Sequence, residues 1–409
     1  MPSNFKYKVL VWVGVWILTR ALMLVQVGFW SDLGINYQDV EFYKNWSDTL
    51  AVHHQMPDED SWQYPPGAAF LLLVPRLGSV FGAAYQPSFV VMMLAVDLVG
   101  LVVMGLLARR SGRSTGVWIW LLTVPLLQAI PLTRFDLAPT VLTMAALVFI
   151  HRRTTWFGAL VGAGAALKIF PVVALFGEWD RRRLVRASAT AAAVAALVFI
   201  AAAISFGDQS GFFANQDVRG LQKESVGGIP WYLQWTVTGR EPEIVLSSGT
   251  AEFGGPVAEA VAVALKWLGL LVLLAAAAWW VARERAIRRG RIDLADAAVS
   301  RDLVFTIVLL QVVVSRVLSP QFMLWVIGVA AVVLGSERTN LERPAWLAIG
   351  AVLLTTGIYL APANMAIRNL VLLAAAVDAT LIMVRLLREP TAEPVAVGKQ
   401  PAAVTAERS

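Results

Sequence analysis

Apolar runs that approach the roughly 20 residues needed to cross a bilayer recur along almost the whole chain. Short polar segments separate them, which leaves a membrane-spanning helical bundle as the only fold class compatible with the pattern. Hydrophobic residues make up 58% of the 409 residues and charged residues 15%, and the mean hydropathy is +0.65. The sequence therefore predicts an all-α polytopic membrane protein.

Basic loops set the expected orientation. Lys6 and Lys8 precede the first apolar run, and the positive-inside rule places them in the cytoplasm. Six later clusters of arginine can share that side only if the apolar run at residues 66–81 does not cross: 109–113, 152–153, 181–186, 283–291, 338–343 and 385–388. We therefore expect residues 66–81 to be interfacial or re-entrant, about eleven or twelve crossings in all, and both termini inside.

Two long segments are then expected at the outer face. Residues 31–86 form a first outer loop with interfacial helices, and residues 207–256 form a second large loop without a helical apolar period. Both belong to a single transmembrane domain over residues 1–387. A Pro- and Ala-rich polar tail, residues 388–409, is expected to be a disordered cytoplasmic segment.

One apolar piece, residues 156–177, is bounded by basic clusters on both sides and is too short for two full spans. We expect a hairpin of two short helices, broken near residues 162–164 or 168–171. By contrast, residues 116–133 are expected to form one helix.

The sequence shows no motif for a metal site or for nucleotide binding. The chain contains no cysteine, its three histidines show no metal-ligand spacing, and no nucleotide-binding loop is present. No metal or cofactor is therefore expected. The net charge of +6 reflects the basic loops rather than a nucleic-acid surface.

Asp39 stands in the most polar part of the first outer loop, residues 36–46. In a helix that starts at Asp39, positions 39, 43, 46 and 50 share one face. That helix is expected to lie along the membrane surface with Asp39 turned toward the lipid side, and Glu41 on another face. Because Asp is also a favoured N-cap, a catalytic base and a capping residue remain alternatives.

Other charged side chains occur where the positive-inside rule does not require them. Arg20 and Asp97 lie inside apolar runs, at a cost of about 2.5–3.5 kcal/mol each at a helix centre. Arg20 therefore either pairs with an acid or reaches a lipid phosphate. The outer turns and loops hold a further set: Arg134, Asp136, Lys168, Arg219, Lys223, Glu224 and Arg316. Clustered cations suit a phosphate, and ordinary ion pairing is the alternative for each of them.

Five short motifs follow one another along the chain: Asp39-Val40-Glu41-Phe42-Tyr43, Tyr64-Pro65-Pro66, Arg134-Phe135-Asp136, Ala166-Leu167-Lys168-Ile169-Phe170-Pro171 and Ser319-Pro320-Gln321. In order and topology the chain, up to about residue 387, resembles the GT-C superfamily of membrane glycosyltransferases, and most closely glycosyltransferase family 87. That family includes polyprenol-phosphomannose-dependent α-mannosyltransferases. Its usual first-loop motif has an apolar residue where Glu41 stands, and many relatives have His where Gln321 stands.

The resemblance implies a GT-C-like bundle and an inverting transfer at the outer face of a bacterial plasma membrane. The donor would be a polyprenyl-phosphate sugar, expected to be mannose, and the acceptor a lipid or glycan hydroxyl. It implies Asp39 as the general base. The candidates for binding the donor phosphate are Arg134, Lys168, Arg219, Arg316 and Arg20. The candidates for the substrate pocket are Glu41, Tyr43, Trp62, Tyr64, Asp136, Trp231 and Gln321.

Two other classes stay open. A transporter or lipid flippase would show internal repeats or charges lining the bilayer, whereas the charges here gather at one face. A non-catalytic cell-envelope assembly protein would use the outer loops to bind a partner.

Overall fold

The computed structural model describes residues 2–32, 38–57, 62–209, 212, 219–247, 250–358 and 360–389. Within these ranges, five helices are long and apolar enough to cross a membrane: Phe5–Gly28, Tyr85–Ser111, Arg181–Phe206, Pro256–Arg288 and Pro362–Arg388. Apolar side chains such as Leu18, Ile204 and Leu271 remain exposed on their outer faces, as expected for helices in contact with lipid. The prediction of an all-α polytopic membrane protein is confirmed, and the number of crossings stays a prediction.

The helices are numbered in chain order: α1 (Pro2–Asp32), α2 (Gln38–Asp48), α3 (Gly67–Leu73), α4 (Tyr85–Ser111), α5 (Thr115–Thr123), α6 (Ile130–Thr133), α7 (Leu137–Phe149), α8 (Thr154–Leu167), α9 (Arg181–Phe206), α10 (Ile229–Thr238), α11 (Pro256–Arg288), α12 (Ala297–Val313), α13 (Met323–Gly335), α14 (Glu342–Thr355) and α15 (Pro362–Arg388). A π-helical turn, Thr49–His53, continues α2, and 3₁₀ turns follow α3 at Val74–Phe81 and precede α13 at Pro320–Phe322. Two strands, β1 (Ile244–Ser247) and β2 (Thr250–Phe253), pair antiparallel with Ile244 opposite Phe253.

Helix α13 forms the centre of the bundle. Every residue in it except Trp325 is buried, as is typical of a helix that is apolar on all sides. Glycines allow its neighbours to approach closely: a Cβ on Gly116 of α5 would lie 2.3 Å from the Ala331 carbonyl oxygen, and one on Gly328 would lie 2.4 Å from Thr140 of α7. The start of α13 is thereby fixed beside the start of α7.

The basic loops meet at one end of the bundle. Arginines of one loop donate hydrogen bonds of 3.0–3.4 Å to backbone carbonyl oxygens in or close to another basic cluster, and these contacts link all six clusters: Arg110 to Val148, Arg113 to Glu337, Arg183 to His151, Arg283 to Gly177 and Arg291 to Leu386. We call this the arginine-rich end. Helices α4, α7 and α13 end there, and α12 begins there. The opposite end, which holds Asp39, is called the Asp39 end.

Residues 154–177 double back on themselves. Helix α8 stops at Leu167, Lys168 is extended, and a 3₁₀ turn follows over Phe170–Gly177. His151 Nε2 lies 3.3 Å from the Gly177 carbonyl oxygen, so the two ends of this hairpin lie together at the arginine-rich end. The break falls at the second of the two predicted positions, because Pro171 lacks the amide that a continuing helix needs.

Two expectations are wrong in detail. Residues 116–133 do not form one helix: α5 ends at Thr123, Pro125 lies in a 3₁₀ turn, and Gln128 has a φ of 56° before α6 begins. Proline again removes a helical hydrogen bond. The described part of the second outer loop contains α10 and the β1–β2 pair, where no regular structure is predicted. Most of the predicted tail, residues 390–409, lies outside the described residues.

Glycines also bring the backbones of α8 and α9 into contact. A Cβ on Gly158 would lie 2.4 Å from the Ala187 carbonyl oxygen, and one on Gly162 would lie 2.4 Å from that of Ala191. Small residues four apart on two facing helices allow such close packing in membranes.

We expect Gly162→Ala to destabilise the protein by about 1–3 kcal/mol, because the added methyl must push the two backbones apart. The measurement is the midpoint of thermal unfolding in detergent. Gly14→Ala in α1 is the matched control, since a Cβ there would meet no atom within 4 Å. Equal midpoints for the two variants would contradict the close contact.

Candidate active site

Asp39 lies in the first turn of α2, at the Asp39 end of the bundle. Its carboxylate forms an ion pair with the guanidinium of Arg134, which stands between α6 and α7. The Asp39 side chain is 30% exposed and that of Arg134 26%. Capping alone would not bring an arginine from another helix connection to this carboxylate. Asp39 therefore lies against a cation, and its role as a catalytic base stays a prediction.

Helix α2 packs one of its faces against the rest of the bundle. Its buried side chains are Val40, Tyr43 and Ser47, and the Tyr43 ring lies 5.4 Å from that of Phe89 and 5.5 Å from that of Phe135. The prediction that the face with Tyr43 turns toward lipid is thus wrong. Tyr43 is buried because packing a large aromatic side chain against other rings is favourable. Residues 36 and 37 of the polar stretch lie outside the described residues.

Three consecutive residues between α6 and α7 serve three different contacts. Arg134 is extended, with φ −128° and ψ 140°, and reaches Asp39. Phe135 is fully buried, and its ring lies 4.7 Å from that of Tyr64. The Asp136 carboxylate turns to Lys168, whose Nζ lies 2.6 Å from Asp136 Oδ1. This short segment therefore joins the first outer loop to the tip of the α8 hairpin.

The ammonium group of Lys168 is enclosed by aromatic rings. Its Nζ lies 5.2–5.6 Å from four ring centroids: Tyr64, Phe135, Phe322 and Trp325. Such distances give cation–π attraction, which is stronger where water is excluded. Arg134 and Arg219 lie near enough to interact electrostatically with Lys168. The tip of the hairpin thus places the buried ammonium group of Lys168 close to the guanidinium groups of Arg134 and Arg219.

Trp325 is a member of this group that sequence reasoning missed. Its indole Nε1 donates a hydrogen bond of 3.0 Å to Asp136 Oδ1, and its ring stacks on Phe322 at 4.0 Å and on Phe170 at 4.2 Å. In the sequence, the only signal is a pair of aromatic residues three apart just after Ser319-Pro320-Gln321. Asp136 Oδ2 is buried and has no hydrogen-bond partner among the described residues.

The second outer loop is fastened to the turn that follows α12. The backbone amide of Gln222 donates a hydrogen bond to the Arg316 carbonyl oxygen at 2.9 Å. The side-chain Nε2 of Gln222 donates to Ser319 Oγ, also at 2.9 Å. Ser225 Oγ donates to the Ser315 carbonyl oxygen at 2.7 Å. These bonds hold the segment that follows Arg219 against the turn that contains Arg316. Tyr64 of the first outer loop lies close enough to Arg219 to interact with its charge.

Arg219 is largely enclosed in this position. Burial lowers the pKa of its guanidinium, Arg316 acts in the same direction, and Tyr64 and Glu252 oppose the change. Its Nη2 is buried without a hydrogen-bond partner among the described residues. A buried guanidinium nitrogen with no acceptor is costly, and an anionic ligand would relieve that cost.

Tyr64 lies close to both Lys168 and Arg219. Burial raises the pKa of its phenol to about 12, Asp136 adds to the rise, and a hydrogen bond with Tyr43 and the charge of Arg219 act against it. Tyr64 therefore stays a neutral phenol that can donate or accept a hydrogen bond. Trp62 is buried behind it, with its ring 6.2 Å from that of Tyr64.

Other predicted site residues lie elsewhere. Arg20 is buried in the bundle, where its Nε and Nη2 bond the two oxygens of Asp97 at 2.7 and 2.8 Å. Of the two alternatives for Arg20, the structure shows pairing with an acid. Arg20 does not contact the described side chains around Asp39. Glu41 bonds Lys44 at 3.2 Å and Gln86 at 2.7 Å.

Trp231 stacks on Phe253 at 5.0 Å, within a second small apolar cluster. Gln321 is partly buried in the 3₁₀ turn beside Phe322, next to the aromatic rings around Lys168. The structure thus brings together Asp39, Arg134, Asp136, Lys168 and Tyr64, with Arg219 beside them.

Comparison with known proteins adds the family. The model of glycosyltransferase family 87 matches residues 62–310, which include Tyr64, Arg134, Asp136, Lys168 and Arg219 but neither Asp39 nor Arg316. Searches of curated proteins and of solved structures found no match. Because the family model matches more than half of the chain, the protein belongs to glycosyltransferase family 87 and is a membrane glycosyltransferase.

Proposed function

We propose that the enzyme moves a sugar, mannose in the first instance, from a polyprenyl-phosphate donor to a hydroxyl of a lipid or glycan acceptor, with inversion. The observation that carries the proposal is the ion pair between Asp39 and Arg134. It joins a partly exposed carboxylate, able to accept a proton, to a cation able to bind a phosphate, at the edge of an aromatic-lined site.

The donor phosphate would bind among the cations at the Asp39 end. Arg134 is partly exposed and Arg219 has a buried Nη2 without a described acceptor, so these two side chains are the proposed direct ligands. A guanidinium can bind two phosphate oxygens at once. Arg316 adds positive charge beside Arg219. The Lys168 ammonium group already forms a hydrogen bond with Asp136. Its proposed role is to add positive charge near the phosphate without contacting it.

The transfer itself needs one proton acceptor. The acceptor hydroxyl oxygen attacks the anomeric carbon, the bond from that carbon to the phosphate oxygen breaks, and the phosphate leaves with the bonding electron pair. Asp39 takes the hydroxyl proton as general base. No general acid is required, because phosphate is a stable leaving group, and the neighbouring cations stabilise the charge that develops on it.

The ion pair also suggests how the base is made available. In the free enzyme Arg134 occupies the Asp39 carboxylate. A donor phosphate that binds Arg134 competes for that guanidinium and releases the carboxylate toward the acceptor. Proton transfer would then be coupled to the presence of the donor.

The proposed outer location follows from the charge distribution. The Asp39 end lies opposite the arginine-rich end, where contacts join all six basic clusters. The positive-inside rule assigns such an end to the cytoplasm. A lipid-linked donor suits the other side, because it is held in the membrane and needs no nucleotide-binding domain.

The test uses the purified full-length protein in liposomes that contain a candidate acceptor lipid. Radiolabelled polyprenyl-phosphomannose is supplied in one set and radiolabelled nucleoside-diphosphate mannose in another, with protein-free liposomes as the control. We expect label in the acceptor from the polyprenyl donor alone. Transfer from the nucleotide sugar alone would refute the donor class. Movement of the donor between leaflets without transfer would support a flippase, and neither activity would support an assembly protein.

A further inference from the structure

A cavity of about 360 Å³ opens at the arginine-rich end of the bundle. That volume lies within the range of roughly 300–1,000 Å³ that is usual for ligand sites. Four separate parts of the chain supply its charged lining: Arg110, Arg152, Asp296, Arg301, Glu337 and Arg338.

This cavity is separate from the group around Asp39. Arg301 lies in the first two turns of α12, whereas Arg316 follows the end of that helix. The 17 residues of α12 span about 25 Å at 1.5 Å per residue. The two sites therefore lie at opposite ends of the same helix, and the inference below does not depend on the proposed function.

Arg301 is held rigidly in the wall of the cavity. Its Nε donates to the Leu147 carbonyl oxygen at 3.2 Å, and its Nη1 donates to Ser336 Oγ at 3.0 Å. No group in the described ranges accepts a hydrogen bond from its Nη2. A guanidinium fixed on one edge and unoccupied on the other is arranged to receive a ligand.

The protein neutralises the positive charge of the cavity only in part. Its four arginines face two carboxylates, and among the described residues none of the four forms a salt bridge. The Asp296 side chain accepts a hydrogen bond of 2.9 Å from the Ala298 amide and so caps α12. Arg152 and Arg301 also repel each other, and the attraction of Arg301 by Asp296, Asp302 and Glu337 opposes this repulsion. An anion placed between them would relieve that repulsion.

One side of the cavity is apolar. Leu107 and Val148, both buried, line it beside Arg110, whose guanidinium carbon lies 5.5 Å from the centre of the Phe149 ring. A ligand with an anionic group and a neighbouring hydrocarbon portion would satisfy both sides. We propose that this cavity binds a phosphate-bearing anion, which a phospholipid headgroup or a free phosphate could supply.

The test compares the wild-type protein with Arg152→Gln and Arg301→Gln. Arg285→Gln is the matched control, because Arg285 is an exposed arginine at the same end that does not line the cavity. In the first arm, nanodiscs contain phosphatidylglycerol in phosphatidylcholine, and native mass spectrometry measures the phosphatidylglycerol retained. In the second, nanodiscs of phosphatidylcholine alone receive inorganic phosphate or chloride at equal ionic strength, and the unfolding midpoint is measured.

We expect retention, or the phosphate-specific rise in midpoint, to weaken about tenfold in apparent affinity in Arg152→Gln and Arg301→Gln, because each loses a charge-assisted hydrogen bond. Arg285→Gln should match the wild type. An effect in the lipid arm alone identifies a headgroup, and one in the phosphate arm alone identifies a soluble ligand. Equal behaviour of Arg152→Gln, Arg285→Gln and wild type in both arms would overturn the proposal, whether or not Arg301→Gln folds.

Discussion

Asp39→Asn lowers the rate of sugar transfer by about 10²–10⁴-fold if its carboxylate takes the acceptor proton, since that is the usual contribution of a general base. The amide keeps the size of the side chain but cannot accept the proton. The measurement is the initial rate of label transfer from polyprenyl-phosphomannose, with the unfolding midpoint of each preparation determined beside it.

Glu41→Gln is a matched control for this experiment. Glu41 lies on the same helix two residues further on, and its carboxylate is engaged by Lys44 and Gln86. A surface change of this kind alters free energies by about 0.5 kcal/mol or less, so transfer should stay within about twofold of wild type. A similar loss in both variants, or full activity in Asp39→Asn, would remove Asp39 from the mechanism.

The second large effect is on stability, at the buried pair of Asp136 and Lys168. Their side chains are 1% and 10% exposed. Removing one partner leaves the other charge buried and unpaired, which costs about 3–5 kcal/mol. We therefore expect Asp136→Asn and Lys168→Met each to lower the unfolding midpoint strongly, and the double variant to recover most of the loss.

Transfer by the double variant then separates two roles of Lys168. If its charge helps to stabilise the departing phosphate, the stable double variant still transfers sugar more slowly than wild type. Recovery of transfer together with stability would limit Lys168 to a structural role. Lys44→Met provides the comparison for loss of an exposed pair, where about 0–1 kcal/mol is expected. A double variant as unstable as either single variant would contradict the pairing itself.

Much of the fold is predictable from local signals. The lengths of the apolar runs indicate the spanning helices. The arginine distribution predicts that residues 66–81 are interfacial or re-entrant, and this stays a prediction. Pro171 indicates where the hairpin breaks, and Pro125 indicates a break within residues 116–133 that the apolar run alone does not reveal. A proline inside an apolar run is therefore a better indicator of a helix break than the hydropathy around it.

The candidate site is only partly predictable. Arg134, Asp136 and Lys168 stand out as charges between apolar runs, but their partners depend on which helices are neighbours, and local sequence does not contain that information. For the same reason the Arg20–Asp97 pair remains one of two alternatives in the sequence. The spacing of Phe322 and Trp325 does not identify Trp325 as a site residue, because that spacing does not distinguish a ring over a cation from a ring in the core.

The close contact of α8 with α9 has a consequence for how this chain can vary. Glycine-to-backbone contacts at Gly158 and Gly162 leave little freedom for α8 to slide along α9, and Lys168 follows directly after its last residue. One inserted residue would advance the tip by about 1.5 Å and rotate it by about 100°, which would turn Lys168 away from Asp136. Along this helix the number of residues is therefore under stricter constraint than the identity of most of them.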